Sequence, residues 1–376
     1  MTKLSLLADE NIPNLTALCA DWADITTMSG RDMRASDVES ADVLLVRSVT
    51  KVNAELLANS KLQFVGSATI GVDHIDTEYL ASRGIGFAHA PGSNANGVVD
   101  YVMSVILDHY DNTDLKNLTV AIAGHGNVGS RLARCLRYFS IPHIIYDPLF
   151  APSTKTKALT DAPAKHFVES IDDLMASDII SLHVPLTLPL TLPLTLPLTS
   201  PLAAGTNYPT YHLFDAHRLS QLAEKALFIN SSRGPVVDNA ALKSLLLKRS
   251  DLTVALDVWE GEPNIDLPLY GLCHTATPHI AGYSLDGKLR GASAIVSAAR
   301  DYFNIATLTA SENKDLVRLD DIKTLDEYRK TLASIYSAQN ESDIFKQKMN
   351  GCENSAQIFD AYRKSYPARR EINYDG

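Results

Sequence analysis

Short uninterrupted apolar runs, many of them β-branched, alternate along the chain with stretches of helical period. An opening strand within Met1–Glu10 runs into an acidic turn, and Asp42–Val46, Leu62–Val65 and Ile85–Ala88 follow as further strands. A run that is apolar at every position is the pattern of a strand buried on both faces, and strands of that kind separated by helices form parallel sheets. The pattern therefore predicts a small parallel α/β lobe up to about Pro91. Pro91-Gly92-Ser93-Asn94 punctuates it, and Ala95–Tyr110 reads as a long apolar-faced helix crossing to a second α/β domain. The return crossing is expected near Tyr283–Ala299. The first lobe then spans residues 1–94 and is completed by about 284–300, the second domain spans 95–283, and 301–376 form a separate region. Within that region Leu325–Tyr336 is amphipathic, fit to pack on its own subunit or on a second copy.

The second domain opens with the apolar run Leu118–Ala123, then Gly124-His125-Gly126-Asn127-Val128-Gly129, then a helical pattern over Asn127–Phe139. Strand, glycine turn and helix are the context a GxGxxG motif needs to bind a dinucleotide. Gly124 permits the tight turn, Gly126 lets the backbone approach a pyrophosphate, and Gly129 lets the helix pack on the strand, while Asn127 and Val128 open the helix whose N–H groups face the anion. His143–Asp147 reads as the next strand. Asp147 at its end is placed to accept from the ribose hydroxyls and to repel a 2′-phosphate, which favours NAD over NADP.

Three later strand ends carry candidate chemistry. Ala226–Asn230 delivers Ser231, Ser232 and Arg233 to the edge where open α/β sheets hold ligands, and an arginine there grips a carboxylate through two parallel hydrogen bonds. Thr253–Val258 delivers Asp257, on the nicotinamide side, and Glu262. Thr275–Gly282 ends in Pro278-His279-Ile280-Ala281-Gly282. Histidine is the natural base for a hydroxyl proton near neutral pH, and a carboxylate on its second ring nitrogen orients it and raises its pKa. Glu262 and His279 would form that pair, with His274 a second histidine of similar setting. His183-Val184-Pro185 ends another strand facing the cofactor.

The glycine fingerprint, Asn230–Asp238, Asp257–Pro263 and Pro278–Gly282 together resemble the D-isomer-specific 2-hydroxyacid dehydrogenases over about residues 1–300. The resemblance implies two Rossmann-like or flavodoxin-like parallel-sheet lobes with a cleft between them, completed on closure, and NAD-dependent oxidation of a 2-hydroxy acid. It implies that Arg233 binds the substrate carboxylate, that Glu262 orients the base and that His279 is the base. It also places Ser231, Ser232, Arg233, Asp257, Pro185 and Gly282 on the cofactor. A narrower group within the family is similar in Leu7–Pro13, Val46–Val52, His279–Lys288 and the tail from Phe359 to Glu371. That similarity implies a phosphorylated substrate contacted by Ser48, Thr69 and Tyr283, and a small α+β dimerisation domain at 301–376 that makes a homodimer. A phosphoglycerate or glyoxylate type of dehydrogenase, and a non-catalytic NAD sensor on the same fold, stay open at this point.

Composition narrows the remaining classes. The formal net charge of -10 and the lack of a basic stripe argue against a nucleic-acid partner. An anionic substrate then needs a local basic patch, for which Arg47, Lys51, Lys288 and Arg290 are candidates. Cys19, Cys135, Cys273 and Cys352 have no metal-ligand spacing and read as reduced thiols of a cytoplasmic protein; no export is expected, and no metal. Leu186-Thr187-Leu188-Pro189 recurs three times over about 186–202, the last copy with Ser200 for leucine. Proline at every fourth position excludes a membrane helix, and the segment reads as a low-complexity surface insertion in extended form.

Overall fold

The computed structural model describes residues 3–150, 166–188, 208–306, 316–367 and 369–375. It divides into two compact units, one made of 1–94 with the stretch after Leu285, the other of the segments from Ala95 to Ser284 together with the tail after Leu316. The sheet of the first unit holds five parallel strands, β1 (Leu4–Asp9), β2 (Ala23–Met28), β3 (Val43–Val46), β4 (Phe64–Ser67) and β5 (Gly86–His89), in the order β2-β1-β3-β4-β5. Alternation along β3 sorts its side chains between two cores. Val43 and Leu45 join Ile295, Val296 and Ala299 of the Leu285–Tyr302 helix, whereas Leu44 and Val46 join Val52, Leu57 and Ile75. The return helix thus belongs to the first unit, where the sequence places it. β2 was not foreseen: apart from Ala23 it buries little, so no apolar run marks it.

The second unit is built on six parallel strands, β6 (Val120–Ala123), β7 (His143–Tyr146), β8 (Ile179–Leu182), β9 (Leu227–Asn230), β10 (Thr253–Leu256) and β11 (Thr275–Ala276), in the order β11-β10-β9-β8-β6-β7. The chain reverses its direction of travel across the sheet between β6 and β8. In open α/β sheets that switch point, at the carboxyl ends of the strands, is where ligands sit. One face packs Val120, Ile122, Ile179 and Ile229 against the Ala95–His109 and Asn127–Tyr138 helices. The other packs Ile180, Leu182, Phe228 and Leu256 with Phe214, Leu242 and Leu269.

The tail is mainly helical in its described residues. Its described residues form three helices, Leu325–Ile335, Ala338–Met349 and Ser355–Ser365, with a single parallel bridge between Arg318 and Asn373. Tyr328, Leu332 and Tyr374 complete the first face's core, and Phe345, Phe359 and Tyr362 complete the second's. Burying aromatic surface on both faces of the sheet makes the tail part of the second unit's core.

The Leu-Thr-Leu-Pro repeat lies outside the described residues from Pro189 onward. Its flanks are fixed to each other: Thr187 N donates to Thr210 Oγ1 at 2.7 Å, Thr210 N donates to Thr187 O at 3.0 Å, and Thr210 Oγ1 reaches Pro185 O at 2.5 Å. Among the described residues no helix is long and apolar enough to cross a membrane. Cys19, Cys135 and Cys273 are buried free thiols and Cys352 is half-buried.

Because Phe345 meets Tyr270, Phe359 and Tyr362 ring to ring, Phe345→Ala is expected to cost about 3–5 kcal/mol. Guanidinium denaturation checks this. A loss under 1 kcal/mol would show that the tail packs loosely on the sheet.

Candidate active site

The turn after β6 fulfils the glycine pattern in geometric detail. Gly124 sits at φ 97°, a conformation open to glycine at little cost. At Gly129 a Cβ would lie 1.9 Å from Gly124 O, so only glycine lets the helix approach the strand this closely. The helix then starts at exposed Gly126 and Asn127 with no side-chain cap, and its positive end is open to an anion. Asp147, just past β7, turns back on the same loop: Oδ2 accepts from His125 N at 2.8 Å and Oδ1 from Leu149 N at 2.9 Å. His125 itself is buried edge-on to Phe167, and burial holds its ring below the ordinary histidine pKa.

β9 ends in an asparagine-anchored turn. Asn230 Oδ1 accepts from Ser232 N and Oγ at 3.1 and 2.9 Å, and its Nδ2 donates to Arg233 O at 3.0 Å. Arg233 Nη1 donates to Ser232 O at 2.8 Å. The Ser231 hydroxyl is buried without a hydrogen-bond partner among the described residues, which suits a polar ligand at this strand end. The next residue, Gly234, presses on the backbone of Trp259, where a Cβ would come within 2.0 Å. The loop of Arg233 and the loop of Glu262 are therefore in direct contact.

Glu262 and His279 meet as the sequence predicts, with His279 Nδ1 2.8 Å from Glu262 Oε2. Glu262 Oε1 also accepts from Trp259 N at 2.8 Å. Burial works to raise the Glu262 carboxyl, but His279, the Trp259 N–H and the charge of Arg363 outweigh it and hold the group below the usual carboxylate range. With Nδ1–H donating to the carboxylate, Nε2 is left as an acceptor, the form a general base requires.

Asp257 is 1% exposed, and its carboxylate is taken up within the protein. Oδ1 accepts from Thr277 Oγ1 at 2.7 Å and from Ile280 N at 2.8 Å, and Oδ2 from Ala281 N at 2.9 Å. These bonds lock the segment that carries His279, whose φ is 56°. His274 lies apart, exposed, with its carbonyl accepting from Lys346 Nζ. Pro185 is exposed just after β8, and Tyr283 stands edge-on to Tyr366 with ring centroids 6.0 Å apart.

In the first unit, Ser48 is exposed just past the end of β3. Thr69, just past β4, exchanges a hydrogen bond of 2.7 Å with Ser67 and donates to Gly71 O at 2.7 Å. Burial and the nearby Arg47 lower the pKa of Lys288, and Arg290 donates twice to Ser93 O, at 3.1 and 2.6 Å.

The sequence does not reveal a bracket beside the loops of Arg233 and Glu262. His212 Nε2 lies 2.7 Å from Glu260 Oε1 while Nδ1 faces Asp238 at 3.9 Å, and Glu260 Oε2 accepts from Asn239 N at 3.0 Å. His212, Asp238 and Glu260 are close enough together to ligate one ion, a grouping that residues far apart in sequence do not reveal. Here Glu260 is hydrogen-bonded to one ring nitrogen, while Asp238 faces the other at ion-pair distance only.

The model of the D-isomer specific 2-hydroxyacid dehydrogenase catalytic domain matches residues 6–347. The chain belongs to this family. Over 378 residues it is 40% identical to the erythronate-4-phosphate dehydrogenase of Pseudomonas entomophila, covering 98% of this chain and 92% of that protein. It is also 40% identical over 380 residues to the Azotobacter vinelandii protein of the same name, covering 98% and 93%. Among solved structures, the NAD+-bound 3-phosphoglycerate dehydrogenase of Entamoeba histolytica shares the fold at a TM-score of 0.64 and 21% identity, covering 84% of this chain and all of the other.

Glu262 has a depressed folded pKa, so the stability it contributes is fully present above its unfolded pKa of about 4.3 and is lost as pH falls through the lower folded value. Glu262→Gln should therefore be less stable than the parent at pH 6. That gap should close as pH falls below about 4, as followed by thermal melts across pH. A gap independent of pH would refute an ionised Glu262 in the folded state.

Proposed function

We propose that this protein oxidises 4-phospho-D-erythronate at C2 to 3-hydroxy-2-oxo-4-phosphobutanoate, with NAD as oxidant, on the route to pyridoxal phosphate. The Glu262–His279 pair, oriented with Nδ1 toward the carboxylate and set beside the Arg233 loop, carries the reading. NAD, when bound, supplies the hydride acceptor for C2. Its pyrophosphate suits the uncapped helix start at Gly126, Asn127 and Val128, and the orphaned Ser231 hydroxyl offers a further contact. Asp147, anchored to the glycine loop, is assigned the ribose hydroxyls, with Pro185, Ser232, Asp257 and Gly282 around the remainder of the cofactor.

Arg233 holds the substrate carboxylate, and His279 takes the C2 hydroxyl proton on Nε2 as C2 becomes a carbonyl carbon. Glu262 stabilises the imidazolium that results. Ser48, Thr69 and Tyr283 are assigned to the substrate, and Arg47 with Lys288 to its phosphate. An approaching dianion would offset the burial and the Arg47 repulsion that together lower the Lys288 pKa. Cytoplasmic residence and a homodimer belong to the same reading, on the strength of the family likeness.

Purified protein with NAD should form NADH, seen by its absorbance, faster from 4-phospho-D-erythronate than from 3-phosphoglycerate. A parallel assay with a 2-oxo acid present detects cofactor that stays bound. His279→Ala should lower kcat by about 10²–10⁴-fold. Preference for another 2-hydroxy acid would sink the substrate assignment, and an undiminished His279→Ala variant would sink the mechanism.

A further inference from the structure

Residues 369–375 fold back onto the catalytic strand ends. Glu371, Ile372 and Tyr374 are at most 1% exposed, unusual for a terminal segment unless it is tied down. The fixing contacts converge on two places. One is the Ala95–His109 helix, where Tyr374 Oη donates to Asp100 Oδ1 at 2.8 Å and Ile372 N to Asp100 Oδ2 at 3.3 Å. The other is the stretch just past His279.

Arg369 bridges the two. Its side chain is 8% exposed, and its Cζ lies 3.8 Å from the centre of the Tyr336 ring. Nη1 pairs with the fully buried Asp100 at 3.2 Å, while Nη2 donates to Gly97 O at 2.9 Å and to Ala281 O at 2.8 Å. Glu371 accepts from the Ser284 hydroxyl. Upstream in the same tail, Tyr366 stands against Tyr283. The Ala281 N–H is already held by Asp257, so the peptide units on both sides of Ala281 are gripped from opposite directions. His279, two residues before, adopts a left-handed backbone that persists only where its surroundings over-determine it.

We propose that Arg369 is a positioning residue for the dehydrogenase reaction: through Ala281 O it fixes the segment that aims His279 and Tyr283, so the tail is a working part of its own subunit's active site. This rests on the proposed function for its kinetic consequence, though not for the brace itself. A guanidinium suits the task because its rigid fork serves a carboxylate and two carbonyls at once, where an ammonium serves them as a point charge. Asp100 is the source of the fold's need for a cation here: burial pushes its carboxyl up to about 7 against the lowering effect of Arg369.

Three proteins decide the matter: the parent, Arg369→Met and Arg369→Lys, assayed with NAD and 4-phospho-D-erythronate, protonated or deuterated at C2. In Arg369→Met, amide exchange of the 277–284 segment should rise at least tenfold above that of the surrounding sheet, kcat should fall about tenfold or more, and the deuterium isotope effect on kcat should rise. NADH affinity should stay within about twofold, since the glycine loop is untouched. Arg369→Lys keeps a cation beside Asp100, and should regain the melting temperature while kcat and local exchange stay displaced.

Parent values of local exchange and kcat in both variants would overturn the proposal. So would exchange that rises uniformly across the unit with an unchanged isotope effect, the mark of simple destabilisation. A parent without turnover would count against the substrate and reaction alone, because exchange still reports whether Arg369 braces the segment.

Discussion

A carboxylate buried at the end of β10 organises the candidate site of the second unit. Asp257 is an acceptor with almost no access to water, and leaving its oxygens unsatisfied would cost several kcal/mol. It is satisfied by the hydroxyl of Thr277 and by the N–H groups of Ile280 and Ala281. Both backbone donors lie just beyond His279, so meeting the needs of Asp257 forces the chain to turn there. The turn is why a non-glycine residue sits at positive φ, and why the His279 ring comes to rest on Glu262. Strain of about 1–3 kcal/mol at one residue is tolerated because three hydrogen bonds to a buried acid oppose its release.

Much of this is legible in the sequence. Motifs built from neighbours in sequence, such as Gly124–Gly129 after β6, have local causes: a tight turn, a close approach, an open helix end. Fully apolar runs mark β3 and β6, and largely apolar ones β8–β10, because parallel strands bury both faces, and the sequence pairs Glu262 with His279 because the chemistry of a base needs both. The missed strand β2 shows the limit of the pattern, since its mostly half-exposed residues carry no apolar signature.

What stayed hidden is long-range and polar. Arg369 meets Ala281 and Gly97 across 88 and 272 residues, and no periodicity encodes such a pairing. His212 with Glu260, and the tail's share of both cores, are of the same kind. Asp257 is of this kind too: its place at a strand end is legible in the sequence, and the N–H groups of Ile280 and Ala281 that donate to it are not.

The threonine clasp at Thr187 and Thr210 has a consequence for how this sequence can vary. The two ends of the stretch between Thr187 and Thr210 are held together by this pair of hydrogen-bonded threonines, so their separation is set by the clasp itself. Closing a connection costs only in proportion to the logarithm of its length, and one further four-residue copy would add about 0.2 kcal/mol or less. Chain closure therefore sets only a weak limit on copy number in the Leu-Thr-Leu-Pro tract.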